Sequence, residues 1–180
     1  MANNTEAKAA VAQNAVPAVS NVEVTVAGVE LLDSKFGDVI KLSFIEFIED
    51  FGKNEKGERV KGKTTSLLFN RAYFVGRVLT LLPDLSEFYS TAKAQDNSNP
   101  VQDVIGRFLQ GGKIQLERSY HAAGEVETLA DGSEVVHKLE KYTNEVAGAA
   151  YGVVGTAVIE QLNKKREEKL LADMMAMMGL

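Results

Sequence analysis

Residues 22–31 read VEVTVAGVEL, and the alternation of apolar and polar side chains in this stretch decides the fold class. Valines alternate with polar residues as far as Val26, a period of two that is typical of a half-buried β-strand. At Gly28 the alternation shifts by one residue before it continues to Leu31. Because glycine accepts the backbone angles of a β-bulge, this shift predicts a bent, coiled first strand.

A second strand is predicted over residues 39–51, after a turn at residues 35–38. Its break in alternation at Ile45 and Glu46 predicts another bulge or a change of register. The inner face is expected to carry Ile40, Leu42, Phe44 and Ile48, and the outer face Lys41, Ser43, Phe47, Glu49 and Phe51.

Residues 52–63, GKNEKGERVKGK, are predicted to form an exposed hairpin loop because glycines and charges dominate them. A third strand then spans residues 64–69. Asn70 is typical of a helix N-cap, and the helix that it begins ends at Pro83. Asp84 is expected to cap another short helical segment.

The later part of the chain predicts one well-delimited helix over residues 99–110, with Pro100 in its first turn and glycines just beyond its end. Two strands follow, residues 113–121 and the region around 133–146, with a turn at Asp131-Gly132. Residues Ile114, Leu116 and Tyr120 are expected to face inward. The second strand faces inward with either Val135, His137 and Leu139 or Val136, Lys138, Glu140 and Tyr142.

A final helix is predicted from about Thr156. Its apolar stripe would hold Ile159, Leu162, Leu170, Met174 and Met178, interrupted by Lys165, Arg166 and Lys169.

This order of elements resembles an OB-fold, a five-stranded Greek-key barrel with a helix between its third and fourth strands. The resemblance implies a mainly β fold with a helical insertion. The sequence itself predicts a flexible arm (residues 1–21) before this domain and a linker and an amphipathic C-terminal helix (147–180) after it. The barrel-like domain would span residues 22–146. A mixed α+β fold of another kind is the alternative.

The amino-acid composition limits which kinds of binding, metal and catalytic sites the protein can contain. The 180 residues contain 20 Lys and Arg against 25 Asp and Glu, so a uniformly basic, histone-like protein is excluded. There is no cysteine, and the only histidines, His121 and His137, lie on separate predicted strands without a third metal ligand at a favourable spacing. We therefore expect no enzyme activity, no cofactor and no metal. Residues 57–64 formally match a phosphate-binding P-loop, but a chance match in a basic hairpin is the preferred interpretation.

Proteins of the OB-fold single-stranded-DNA-binding family, known from phage and bacterial replication, combine a basic groove with stacking aromatics. Across residues 53–63, five cationic side chains against Glu55 and Glu58 give a net charge of +3. The resemblance therefore implies sequence-tolerant binding of single-stranded DNA in replication, recombination or repair. The candidate contact residues are Lys41, Phe47, Phe51, Lys53, Lys56, Arg59, Lys61, Lys63 and Arg71, with Tyr120 and Tyr142 as further stacking candidates.

Two alternative interpretations of these residues do not involve DNA binding. The basic loop can be a solvated hairpin tip, as on many protein surfaces. Phe47 and Phe51 can pack in the core, which is the commoner fate of phenylalanines.

The alternative function is that of a structural or adaptor protein, such as a virion component, that assembles through its terminal segments. The Met-rich C-terminal helix is the expected protein contact, unless it packs on its own domain. We expect a cytoplasmic protein, in the host cytoplasm if it is viral, because residues 1–21 lack the pattern of a secretory signal and no run of roughly 20 apolar residues is present.

Overall fold

The computed structural model describes residues 18–35, 37–95 and 99–180, so the predicted arm lies outside the described residues up to position 17. The fold is mainly β, with a five-stranded antiparallel sheet in the order β3-β2-β1-β4-β7 and a separate hairpin, β5-β6. The strands are β1 (Ala18–Leu32), β2 (Val39–Lys53), β3 (Arg59–Asn70), β4 (Lys113–His121), β5 (Val126–Thr128), β6 (Glu134–Val136) and β7 (Lys141–Ala149). β1 and β7 thus extend beyond the expected domain limits at residues 22 and 146.

Four helices flank the sheet: α1 (Arg71–Leu81), α2 (Leu85–Lys93), α3 (Arg107–Leu109) and α4 (Val153–Met177). A π-helical segment, Val101–Gly106, leads directly into α3, where the N–H of Arg107 donates to the carbonyl of Gln102, five residues earlier. The predicted helix over residues 99–110 is therefore present, but most of it is π-helical. Caps at its ends could not reveal this, because both kinds of helix use similar end signals. Among the described residues, no helix is both long enough and apolar enough to cross a membrane.

The five-stranded sheet is open, so the closed barrel that the resemblance implied is not formed in the described part of the chain. Side chains of α1 occupy the backbone groups that β7 would otherwise offer to another strand. The hydroxyl of Tyr73 accepts a hydrogen bond from the Val146 N–H (2.9 Å), and Nε of Arg77 donates to the Val146 carbonyl (2.7 Å). These bonds give the backbone N–H and carbonyl of Val146 hydrogen-bond partners without any pairing to β3. Buried backbone groups need such partners.

The core lies between the inner face of the sheet and the helices. The predicted inner face of β2 is confirmed, since all four of its apolar residues are buried. Helix α1 and the π-helical segment cover the inner face of the sheet. Their residues there are also buried: Phe74, Val78, Val101 and Ile105. The third strand and the cap of α1 are confirmed too: the Asn70 side chain accepts a hydrogen bond from the Tyr73 N–H at 3.1 Å.

Both predicted irregularities of the first hairpin are confirmed. The β1–β2 register shifts between Val26 and Gly28. In the β2–β3 pairing, β2 advances from Ser43 to Ile48 while β3 advances only from Ser66 to Thr64. The bulged part of β2 turns Glu46 toward β1, where its carboxylate accepts hydrogen bonds from the N–H (2.7 Å) and hydroxyl (2.6 Å) of Thr25.

These two bonds predict a pH dependence of stability. They lower the pKa of Glu46 from 4.5 to about 2. A pKa lowered by folding contributes stability above the unfolded value, and that contribution is lost as the pH falls from about 5 toward 2. Because the side chain is 38% exposed, the effect should not exceed about 1 kcal/mol. In urea unfolding, Glu46→Gln should flatten the acid limb of the stability profile, whereas Glu30→Gln, an exposed change on β1, should leave it as steep as in the wild type.

Two predicted elements differ from the structure. The hairpin loop of residues 52–63 is only the turn 54–58, because β2 continues to Lys53 and β3 begins at Arg59. Charged residues are compatible with these parts of β2 and β3 because the hairpin that the two strands form there is exposed. The Asp131-Gly132 turn is confirmed, but it joins the short strands β5 and β6, and the partner of β4 is β7.

The predicted stripe of the last helix divides into two parts. Ile159 is buried and Leu162 is partly buried against the core, while residues 163–180 are all exposed, including Leu170, Met174 and Met178. Arg166 pairs with Asp84 at 2.8 Å, and the part of α4 beyond Arg166 extends away from the rest of the fold.

Candidate nucleic-acid interface

Three aromatic side chains from three strands meet beside the open edge of the sheet. Phe51 of β2 lies 5.7 Å from Tyr142 of β7 in a stacked arrangement and 6.4 Å from Tyr120 of β4, measured between ring centroids. The two tyrosines, which pair across β4 and β7, are 5.5 Å apart and nearly edge to face. We call Phe51, Tyr120 and Tyr142 the aromatic cluster. All three are half-buried, so each ring keeps an accessible part.

Three cationic side chains lie over these rings. The Arg118 guanidinium is 4.2 Å from the Tyr142 centroid, and the Lys61 ammonium lies 5.9 Å from the same ring. The Arg59 guanidinium is 5.3 Å from Phe51. Cation–π contacts of this kind hold positive charge next to a flat apolar surface.

Acidic groups balance part of this charge. Glu49 pairs with Lys61 at 3.1 Å and accepts a hydrogen bond from the Tyr142 hydroxyl at 3.3 Å. The ion pair lowers the pKa of Glu49 and raises that of Lys61. The Tyr120 hydroxyl donates to Glu140, which raises the pKa of Tyr120. Tyr120 is therefore a neutral donor at neutral pH.

Arg118 is the most unusual member of this region because it is only 3% exposed. Its Nε donates to the Asn144 side chain at 2.7 Å, whereas its Nη2 is buried and has no hydrogen-bond partner among the described residues. Burial lowers the pKa of this guanidinium. A buried cationic donor without an acceptor is costly, and the contact with the Tyr142 ring and the nearby carboxylates of Asp50 and Glu49 offset part of this cost.

Open pockets lie on both sides of Tyr142. One, of about 280 Å³, is lined by Tyr142, Tyr120, Lys61 and the start of β1 at residues 18–20. Another, of about 410 Å³, lies between the ends of β3 and β7 and is lined by Tyr142, Tyr73 and polar groups that include Asn70 and Asn144. Tyr142 lines both, so the two concave surfaces meet at its ring.

The structure brings together five of the eleven predicted contact residues: Phe51, Arg59, Lys61, Tyr120 and Tyr142. Two more, Lys53 and Lys63, line a neighbouring pocket of about 330 Å³ with Phe51. The remaining four do not contact the cluster in the described structure. Lys56 is in the exposed turn, Lys41 is half-buried in β2, Phe47 is exposed, and Arg71 pairs with Asp38 at 2.8 Å.

Phe47 is 71% exposed and Phe44 is 3% exposed, so core packing is the wrong expectation for Phe47. We expect Phe47→Ala to change the free energy of unfolding by no more than about 0.5 kcal/mol, as for an ordinary surface site. Phe44→Ala should cost about 3–5 kcal/mol because it leaves a cavity. Urea unfolding of both variants measures the difference, and a larger loss for Phe47→Ala than for Phe44→Ala would show that the face assignment of β2 is inverted.

Sequence reasoning missed Arg118, although the signal was present. Ile114, Leu116 and Tyr120 were expected to face inward, and Arg118 has the same parity on that strand. It also missed a buried group formed by His121, Glu127 and His137, whose ligand atoms lie within 4.8 Å of one another. The P-loop-like residues 57–64 form the end of the turn and the first part of β3, in agreement with the hairpin interpretation.

The chain matches no protein-family model, and comparisons with curated proteins and with solved structures likewise give no match.

Proposed function

We propose that this protein binds single-stranded DNA without strong sequence preference, through the aromatic cluster and the cations around it. The observation that carries this proposal is the meeting of Phe51, Tyr120 and Tyr142 with Lys61 and Arg118 beside two open pockets. Single-strand-binding surfaces combine these two ingredients, stacking rings and positive charge along the backbone path.

The fold is compatible with an OB-like scaffold. Along the chain, three strands precede α1, a helical region precedes β4, and β7 pairs with β4, which agrees with the predicted order of elements apart from the additional hairpin β5-β6. OB-folds are partly open barrels, and their binding surfaces lie on the sheet and on the loops beside it. We infer that the gap between β3 and β7 serves as the binding groove.

Phe51 and Arg118 already lie against the Tyr142 ring, so bases would stack on the parts of the aromatic cluster that stay accessible around it. The pockets on both sides of this ring provide room for a base next to Tyr120 and for a second one next to Tyr73. Each stacked base contributes about 1–3 kcal/mol without requiring a particular base. This would explain affinity without sequence readout.

The acidic neighbours do not prevent phosphate binding. Lys61 and Glu49 are 49% and 59% exposed, so solvent screens their ion pair and Lys61 can exchange Glu49 for a phosphate. Arg118 is only 3% exposed and its Nη2 is buried, so it contributes positive charge next to the Tyr142 ring and not a direct phosphate contact.

Lys61→Ala tests the electrostatic part of the proposal. If Lys61 contacts one phosphate, its removal should lower the slope of log affinity against log salt by about 0.7–1. The measurement is fluorescence anisotropy with a labelled single strand at several salt concentrations. Lys93→Ala, an exposed change on α2, is the matched control and should leave the slope unchanged. Equal slopes for both variants would place the phosphate path elsewhere.

A second candidate function, that of an adaptor or assembly protein, is favoured by α4. Its end exposes Leu170, Leu171, Met174, Met175, Met177 and Met178, an unusual concentration of flexible apolar side chains. Size measurement with and without residues 163–180 tests this function, since these residues are exposed and their removal should preserve the fold. Loss of assembly without loss of DNA binding would assign the tail to protein contacts.

A further inference from the structure

The end of the sheet away from β2 and β3 contains a buried group of imidazoles and carboxylates. His121 is the last residue of β4, Glu127 lies in β5, and His137 follows β6. The two histidines are 1% and 5% exposed, and their rings lie 4.2 Å apart. We call His121, Glu127 and His137 the histidine cluster. Its members come from three separate segments, so the fold and not the local sequence assembles it.

The distances within the cluster are close to those of a metal site. Nε2 of His137 is 2.8 Å from Oε2 of Glu127, and Nδ1 of His121 is 4.0 Å from the same oxygen. A tetrahedral ion with bonds of about 2.0–2.2 Å separates its ligand atoms by roughly 3.3 Å. These two distances need shifts of well under 1 Å to admit an ion, and the imidazole nitrogens, which lie within 4.8 Å of each other, would move closer together.

The electrostatics of the cluster also favour a bound cation. A second carboxylate oxygen, Oε1 of Glu125, faces Nδ1 of His121 at 3.3 Å, and Glu125 is itself buried. Two carboxylates and an imidazole lone pair repel one another in a buried position unless a proton or a metal ion lies between them.

Neighbouring hydrogen bonds orient these groups for metal binding. Nε2 of His121 lies 3.1 Å from the Thr143 hydroxyl, so in the metal-bound form Nε2–H would donate to that hydroxyl and Nδ1 would be the ligand atom. The Ala122 N–H donates to Oε2 of Glu125 at 2.8 Å, which fixes that carboxylate with Oε1 toward His121. Supporting bonds of this kind are typical around metal ligands.

We propose that the histidine cluster binds one divalent transition-metal ion, with Zn²⁺ as the best match to two imidazoles and a carboxylate. The ligands are Nδ1 of His121, Oε2 of Glu127 and Nε2 of His137, with Glu125 as the nearest additional carboxylate. The ion would fasten the β5–β6 hairpin, which is separate from the main sheet, to the ends of β4 and β7. This role is structural and does not depend on DNA binding.

The full-length protein, treated with a chelator and dialysed, provides the test. Titration with ZnCl₂ in a calorimeter should show one ion per chain, and NMR spectra should show both imidazoles shifting together. Because the chain has only two histidines, these signals report on the cluster without ambiguity. An absence of heat and of imidazole shifts would overturn the proposal and show that a proton, not a metal ion, holds the cluster together.

A matched pair of variants separates this site from surface binding. Glu127→Gln removes a ligand from β5 and should weaken Zn²⁺ binding at least about tenfold. Glu134→Gln changes an exposed carboxylate on the partner strand β6 and should leave the affinity unchanged. Both positions are partly or fully exposed, so both variants should fold. Equal affinities for the two variants would also overturn the proposal.

Discussion

Gly152→Ala is expected to destabilise the fold by about 3 kcal/mol or more. A Cβ atom at this position would lie 1.7 Å from the Gln110 carbonyl oxygen and 3.1 Å from the Gly112 nitrogen. Both obstacles are backbone atoms, so no side chain can move aside. The Gly152 N–H also donates to the Phe108 carbonyl at 2.8 Å, which joins the start of α4 to the end of α3. Urea unfolding measures the loss.

Gly76→Ala is the matched control for this prediction. Gly76 lies inside α1, and a Cβ there would meet nothing within 4 Å. Alanine should therefore stabilise the helix by up to about 1 kcal/mol. If Gly152→Ala unfolds at the same urea concentration as the wild type, the close packing of α4 on α3 is wrong.

Tyr142→Ala is expected to weaken single-strand binding by about 1–3 kcal/mol, which is roughly a 5- to 150-fold rise in Kd. Tyr142 contacts the other rings of the aromatic cluster and lines both pockets, so its removal takes away the central stacking surface. The salt slope should stay nearly unchanged, because no phosphate contact is removed. Anisotropy titrations at two or more salt concentrations measure both quantities.

Tyr142→Phe controls for the hydroxyl. It keeps the ring and loses only the hydrogen bond to Glu49, so its affinity should remain within a few-fold of the wild type. Circular dichroism and urea unfolding establish that both variants are folded. Equal affinities for Tyr142→Ala and the wild type would remove Tyr142 from the binding surface.

Local patterns predicted the first half of the fold well. The shift at Gly28, the inner face of β2 and the cap at Asn70 are all consequences of short-range stereochemistry, which a sequence displays directly. The strand that pairs with β4 could not be predicted from such local patterns. The Asp131-Gly132 turn marks a hairpin correctly, but which strand then pairs with β4 depends on long-range packing.

The candidate sites show the same division. Composition and strand parity were enough to single out Phe51, Lys61 and Tyr142, which the structure brings together. They were not enough to predict the histidine cluster. His121 and His137 lie on different segments of the chain, and Glu127 lies next to them only because of the β5–β6 hairpin. Contacts created by tertiary folding leave no spacing signal in the sequence.

Photo-crosslinking of the full chain to a single-stranded thymine oligonucleotide, followed by peptide mapping, tests the proposed binding site most directly. Crosslinks should fall on the peptides that contain Phe51, Tyr120 and Tyr142, and they should diminish as salt rises because phosphate contacts weaken. Crosslinks confined to the exposed end of α4 or to the Phe47 side of β2, or an absence of crosslinks at low salt, would contradict single-strand binding by the aromatic cluster.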